Sequence, residues 1–202
     1  MKSSVTEIEP ILGTSMGGGF YAGRIMIDSQ AFALIVAPKA VGQIEGEWIK
    51  DYKDVQGTLS FNDGFANTKA MAEAGSELAQ RIQALDIDGN TDWYIPSLDE
   101  LEVIYRNLKP STTENYCYMR SGINLNAIMP TAPYTPDFPA QTNAELFQAG
   151  GAEAFDEAWH WTSTQYASDS GFAWIQSFDD GNQLYNGKAN HSRARAVRRL
   201  FI

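Results

Sequence analysis

The chain is nearly free of cysteine and histidine, short of positive charge and without a long apolar run, and each shortage closes off a class of function. Cys117 stands alone, so no disulfide can form within the chain and no cysteine-based zinc site can be assembled. His160 and His191 are the only histidines, too few for a histidine-based zinc centre without carboxylates. His160, set between Trp159 and Trp161, reads as a packed side chain. The charge balance is 15 basic against 25 acidic residues, a formal net charge of -10, which repels a phosphate backbone and argues against nucleic acid as a partner. The opening MKSSVTEIEPILG carries no continuous apolar stretch before Pro10, so no secretory signal is expected there, and no segment approaches the length of a membrane span. Synthesis in a cytoplasm without membrane insertion is the expectation. What remains is an ordinary globular composition, 44% hydrophobic over 202 residues, enough for one principal core.

Periodicity divides the chain. Arg24–Ile27 and Ala31–Ala37 are β-rich runs around the turn formers Asp28 and Ser29, a hairpin pattern. GTSMGGGFYAG ahead of them is rich enough in glycine to suggest a loop or extended arm. Met71, Ala74, Leu78, Ile82 and Leu85 recur at helical spacing and predict one helix over 67–85, with Gly75 marking a close contact. A second helix is signed by the capping box Ser97/Glu100, the stripe Leu101, Ile104, Tyr105 and Leu108, and the stop Pro110. The proline-rich stretch 111–139 predicts a long irregular surface insertion, followed by a short helix at 144–148. Trp159–Ser163 and Phe172–Phe178 are strands, Asp179–Asn182 a hairpin turn, Gln183–Tyr185 the return, and Arg193–Ile202 a single final strand. On that last strand Arg198 falls on the apolar side and demands a partner, while Arg193, Arg195 and Arg199 share the other face. Two helices between β-rich ends, without βαβ alternation, predict an α+β domain with a mostly antiparallel sheet.

Four segments in order, DGNTDWYIPSLDEL, WHWTSTQY, FAWIQSFDDGNQ and SRARAVRRL, resemble the signatures of the Lcl-type C-terminal domain family, common in bacteriophage genomes and in some bacterial surface proteins. The resemblance spans about 63–199 and departs mildly from the family pattern at Tyr94, Ile95 and Thr162. It implies a C-type-lectin-like fold in which two helices flank a small twisted sheet and long loops form the binding face. It divides the chain into residues 1–62, an N-terminal arm and hairpin for attachment or oligomerisation, and residues 63–202, the lectin-like domain carrying the insertion 111–139. Bacterial relatives bind sulfated polysaccharides through basic surfaces, a role that a chain at -10 is not expected to share.

Enzymatic motifs fit poorly. GTSMG imitates a nucleophile elbow around Ser15, but Pro10 precedes it and glycines follow where strand and helix are required. GGGFYA imitates a dinucleotide loop but leads into the strand-like GRIMID. DIDGNTD, Asp86–Asp92, has its glycine two residues too early for a calcium loop and reads as a turn. Related formylglycine-generating enzymes need paired cysteines, which Cys117 alone excludes.

Trp159, Trp161, Trp174 and Phe178 read as core. The polar and aromatic residues beside them, Gln165, Tyr166, Ser168, Asp169, Gln183, Tyr185, Asn186, Asn190 and His191, have the mix of an adaptable recognition surface and form the candidate receptor-binding face. No catalytic residue, metal or cofactor is assigned. The resulting expectation is a non-enzymatic bacteriophage virion protein at the tail tip, fibre or baseplate, recognising a host-surface glycan or pilus. Other virion proteins are its neighbours and a homotrimer or symmetric assembly its setting. A purely structural capping or decoration protein and a carbohydrate-active enzyme are the alternatives.

Overall fold

Tyr21–Gly23 and Ala33–Val36 are buried on both faces, and between them the chain reverses at Asp28 and Ser29, which both adopt left-handed backbone (φ 48° and 65°) as a two-residue hairpin turn requires. The computed structural model describes residues 10–131 and 133–202, so the part of the expected attachment arm ahead of Pro10 lies outside the described residues. Nine strands are formed in the described chain: β1 Ser15–Met16, β2 Gly19–Ile27, β3 Gln30–Val36, β4 Gln43–Glu47, β5 Trp159–Gln165, β6 Phe172–Ser177, β7 Gln183–Gly187, β8 His191–Arg195 and β9 Val197–Phe201. They make two sheets, β1-β2-β3-β9 and β4-β8-β5-β6-β7, antiparallel except where β5 meets β8. The fold is therefore α+β, as expected. Helices are α1 Lys39–Gly42, α2 Gly64–Glu73, α3 Glu77–Gln83 and α4 Leu98–Leu108, with a 3-10 turn at Glu145–Phe147.

Several expectations are revised. The glycine-rich GTSMGGGFYAG is not a loop throughout: β2 begins at Gly19, where any Cβ would lie 2.2 Å from the Val36 carbonyl oxygen, so glycine is what lets the two strands close. The helix predicted over 67–85 is two helices. Gly75 takes φ +98° with no atom near its missing side chain, so it breaks the helix rather than marking a contact, and the Ser76 side chain then caps α3 by accepting the Ala79 amide. The capping box of α4 is formed as read. Residues 111–139 carry no helix or strand among those described, only isolated bridges.

The final strand is also divided. At the fully buried Ala196 the chain leaves one sheet for the other: its amide bonds the Gly42 carbonyl (2.8 Å) and its carbonyl accepts the Ala37 amide (2.9 Å). The switch resets the side-chain alternation, so the faces read from a continuous strand do not hold. Arg198 does find its partner, a two-point contact with Asp92 at 2.7 and 3.1 Å. Arg195, however, is the cation taken fully inside, donating to Glu153 and to the Ala37 carbonyl, each at 2.7 Å.

Residues from the first third of the chain are integral to both sheets, through β3 against β9 and β4 against β8. Two apolar clusters result. One, with Trp48, Leu78, Ile82, Trp93 and Trp161, lies where α2 and α3 cover the five-stranded sheet. The other, with Ile25, Leu34, Ile104, Tyr105 and Phe178, lies where α4 covers β2. His160 is buried in this region against Phe155 and Phe178, with Nδ1 3.0 Å from the Ala158 carbonyl.

Two outcomes follow from these buried charges. Arg195→Ala strands the Glu153 carboxylate and is expected to cost about 3–5 kcal/mol in chemical denaturation, whereas Arg193→Ala, with a partly exposed side chain, costs about 1 kcal/mol or less. The reverse ranking would contradict the placement of β8. For His160, burial lowers the pKa from 6.5 to about 4, against the pull of the Ala158 hydrogen bond. The folded state thus favours the neutral ring: the stability it contributes is whole above pH 6.5 and is lost as pH falls through 4. His160→Asn, which cannot titrate, should lose about 3 kcal/mol less than the parent chain when urea midpoints are followed from pH 7 to 4.

Candidate functional site: an aromatic face on the edge of the five-stranded sheet

Strand β6 alternates cleanly, sending Ala173 and Ile175 into the core and Phe172 and Trp174 to the opposite side. Trp174 sits in register with Tyr185 of the edge strand β7. Around this pair the rings interlock: Tyr166 stacks on Tyr185 with centroids 4.2 Å apart and planes 13° from parallel. Trp174 meets Tyr166 edge-on at 5.3 Å, and Phe172 meets Tyr185 edge-on at 5.6 Å. Tyr185 remains 46% exposed. Phe61 extends the cluster at 6.4 Å from Trp174 and is itself covered by the Arg120 guanidinium at 4.4 Å, which ties the insertion 111–139 to the cluster. Arg120 is held in turn by Asp99 of α4.

The turn from Tyr166 to Gly171 is set by Asp169, whose carboxylate accepts the Gly171 amide (3.0 Å) and whose carbonyl accepts the Phe172 amide (3.1 Å). Beyond β7, the Asn186 side-chain oxygen accepts from the Gly187 amide (2.9 Å) and from the Asn190 amide group (2.7 Å). Tyr52, 61% exposed, lies against the same hairpin: a Cβ on Gly171 or Gly187 would come within 3.3 or 3.1 Å of its ring. A side chain at either position would crowd that approach.

Beneath the face, Lys188 is fully buried, its ammonium bonded to the Lys53 carbonyl at 2.9 Å and to Gln165 Oε1, and lying 4.3 Å from the Trp48 ring. Burial pulls its pKa down to about 8. The Gln165 amide also accepts from the Val55 amide (2.9 Å) and donates to Asp54 (2.6 Å). These bonds hold the 53–55 segment, and with it Tyr52, against β5.

The nine candidate residues therefore separate. Tyr166, Ser168, Asp169, Tyr185, Asn186 and Asn190 lie on this face or its rim, each exposed or half-buried. Gln165 and Gln183 do not: they are 3% and 1% exposed, and Gln165 serves as an internal strut while Gln183 bonds to Gln176 at 3.4 Å. His191 begins β8, opposite Glu47, and turns to that end of the sheet. Of the tryptophans and phenylalanine read as core, Trp161 and Phe178 are fully buried and Trp159 partly, but Trp174 belongs to the aromatic face. Sequence reasoning missed Tyr52, Phe61 and Phe172. Phe172 was recoverable from its alternation with Ala173; the other two are brought in from distant loops that carry no period.

No group of three or more His, Cys, Asp or Glu side chains suited to a metal occurs among the described residues. Asp86–Asn90 forms a tight turn in which Asp86 accepts the Gly89 amide (2.9 Å). An open depression of about 500 Å³ lies between 11–12, 106–107 and 138–144 and shares no residue with the aromatic face.

No curated protein matches the chain. Among solved structures, it is similar to a fimbrial protein from Bacteroides ovatus ATCC 8483, at 13% identity and a TM-score of 0.45, covering 82% of this chain and 35% of that one. The chain thus spans about a third of the length of that structure. The family model of the Lcl C-terminal domain matches residues 47–198, three quarters of the sequence, with the first three of the segments quoted above whole and the fourth as far as Arg198, and the chain accordingly belongs to the Lcl C-terminal domain family.

Proposed function

We propose that the chain is a non-enzymatic recognition protein of a bacteriophage virion, built on a C-type-lectin-like fold, that contacts a host-surface glycan or pilus through the aromatic face of β5, β6 and β7. The observation that carries this reading is the ring cluster itself. Tyr166, Phe172, Trp174 and Tyr185 gather on the solvent side of a sheet whose other side already has a complete core, and Tyr52 is brought beside them from a separate loop. Aromatic rings in a protein without a partner are usually spent on the core, so an interlocked group at a sheet edge, rimmed by Asn186, Asn190 and Asp169, has the composition of a binding surface.

A second reading, a structural capping or decoration protein, draws on the insertion 111–139, where Tyr118, Met119, Leu125 and Met129 are 63%, 67%, 93% and 69% exposed. One experiment separates the two. Particles carrying Tyr166→Ala, Tyr185→Ala and Asn186→Ala together are expected to assemble in normal yield and to lose adsorption to host cells, while the purified variant loses about 1–3 kcal/mol of stability from the broken ring contacts. Normal adsorption by normally assembled particles would overturn the binding-face reading, and a loss of particle yield would favour the structural one.

A further inference from the structure

We infer that the ligand of this face is an uncharged polysaccharide, whose sugar rings lie on Tyr185 and Tyr52 and whose hydroxyl groups are met by the Asn186, Asn190 and Asp169 side chains; this rests on the recognition reading above and names the ligand class. Three observations converge on it.

The first is the geometry of the rings. Tyr185 cannot swing freely, because one neighbour stacks on it and two others meet it edge-on. Held in this way, the ring is a fixed aromatic surface, 46% exposed, with the negative charge density of a π-system. That surface suits the C–H side of a pyranose, whose hydrogens carry the opposite partial charge, and it costs little side-chain entropy on binding. Tyr52 lies against Gly187, two residues from Tyr185 on the same strand, where two strand residues span about 7 Å. That is the length scale of neighbouring sugars in one chain.

The second is the polar rim. The hydroxyls of Tyr52, Tyr166 and Tyr185 make no hydrogen bond among the described residues. Asn186 and Asn190 use one oxygen and one nitrogen to brace each other, so the remaining amide nitrogen of Asn186 and oxygen of Asn190 stay available as a donor and an acceptor. Hydroxyl groups both donate and accept, and a donor beside an acceptor answers them.

The third is charge. Every described lysine and arginine has a carboxylate, carbonyl or amide oxygen within bonding or ion-pair distance. Of the cations nearest the face, Lys188 is buried and Lys53 pairs with Asp51 at 3.7 Å, while Asp169 is exposed on the rim. A sulfated or otherwise polyanionic chain would meet carboxylates here with no cation to spare. An uncharged one meets no such penalty.

The test uses the full chain against immobilised cellohexaose, chitohexaose, mannohexaose and heparin, and against the host cells that it binds. Saturable binding to at least one neutral hexaose, unchanged in about 0.5 M salt, is expected, with no retention on heparin. Tyr185→Ala and Tyr52→Ala should each weaken that binding by about tenfold or more, and Tyr185→Phe should retain most of it, since the ring rather than the hydroxyl carries the contact. Cell binding should disappear after periodate, which cleaves the vicinal diols of sugars, and survive proteinase treatment. Preference for heparin with steep salt dependence would overturn the inference, as would cell binding that resists periodate and is lost to proteinase; in both cases a loss of binding in Tyr185→Ala leaves the recognition reading standing. Cell binding unaffected by Tyr185→Ala and Tyr52→Ala would remove both.

Discussion

The Glu100 carboxylate is the joint on which the arrangement of the helices depends. It is fully buried and accepts three hydrogen bonds, from the Ser97 amide (2.7 Å), the Gly64 amide (3.0 Å) and the Tyr94 hydroxyl (2.8 Å). Two of these donors are unsatisfied amides at helix N-termini, at the starts of α4 and α2, so a single side chain caps both helices and receives both positive dipole ends. The third belongs to a residue whose backbone bridges to Val197 of β9. Sheet and helices are thereby held to one point. Burial nonetheless dominates, raising the Glu100 pKa to about 6, so the stability linked to the protonated form is full below 4.5 and is lost as pH rises through 6. The hydrogen bonds compensate only part of what desolvation costs the ion.

The same economy governs the cations. The long segment after α4 has few apolar anchors, and the Lys109 ammonium gathers it by donating to the Thr113 carbonyl, Asn115 Oδ1 (2.9 Å) and the Pro139 carbonyl (3.3 Å). Asn115 in turn donates to the Thr135, Pro136 and Pro139 carbonyls. Lys188 does the equivalent under the aromatic face, and Arg195 does it between Ala37, ahead of α1, and Glu153. An ammonium or guanidinium surrounded by main-chain oxygens can fix irregular chain that has no ladder of its own. These three cations are spent inside, and the exposed ones, such as Lys50, Lys53 and Lys69, are paired with carboxylates.

How far these features are legible depends on the range of the interaction that creates them. Local patterns read true. The Asp28–Ser29 hairpin, the Ser97/Glu100 box and the Asp179–Asn182 turn are each decided by a few consecutive residues, whose backbone preferences and side-chain caps do not wait for the rest of the fold. The misreadings arose where a local pattern has two outcomes. Gly75 in an apolar helical stripe is compatible with a continuous helix or with a break, and a left-handed backbone angle is invisible in composition. In SRARAVRRL the alternation is unbroken on paper, yet Ala196 passes between sheets and reverses which arginine goes inside.

For the candidate face, residue types and strand period placed Tyr166, Tyr185, Asn186 and Asn190 at the surface, because a loop or an edge strand exposes polar and half-polar side chains whatever packs behind it. Membership of the Lcl C-terminal domain family was equally legible, being carried by four ordered segments. Only the tertiary structure decided that Gln165 and Gln183 are internal, that Trp174 belongs with the exposed rings and that Tyr52 and Phe61 join them. The reason is physical: an amide or an indole is content on either side of a sheet so long as its partners are supplied, and those partners, Val55, Asp54 and Lys188 for Gln165, come from segments more than twenty residues away in sequence, brought close by the packing of the whole chain.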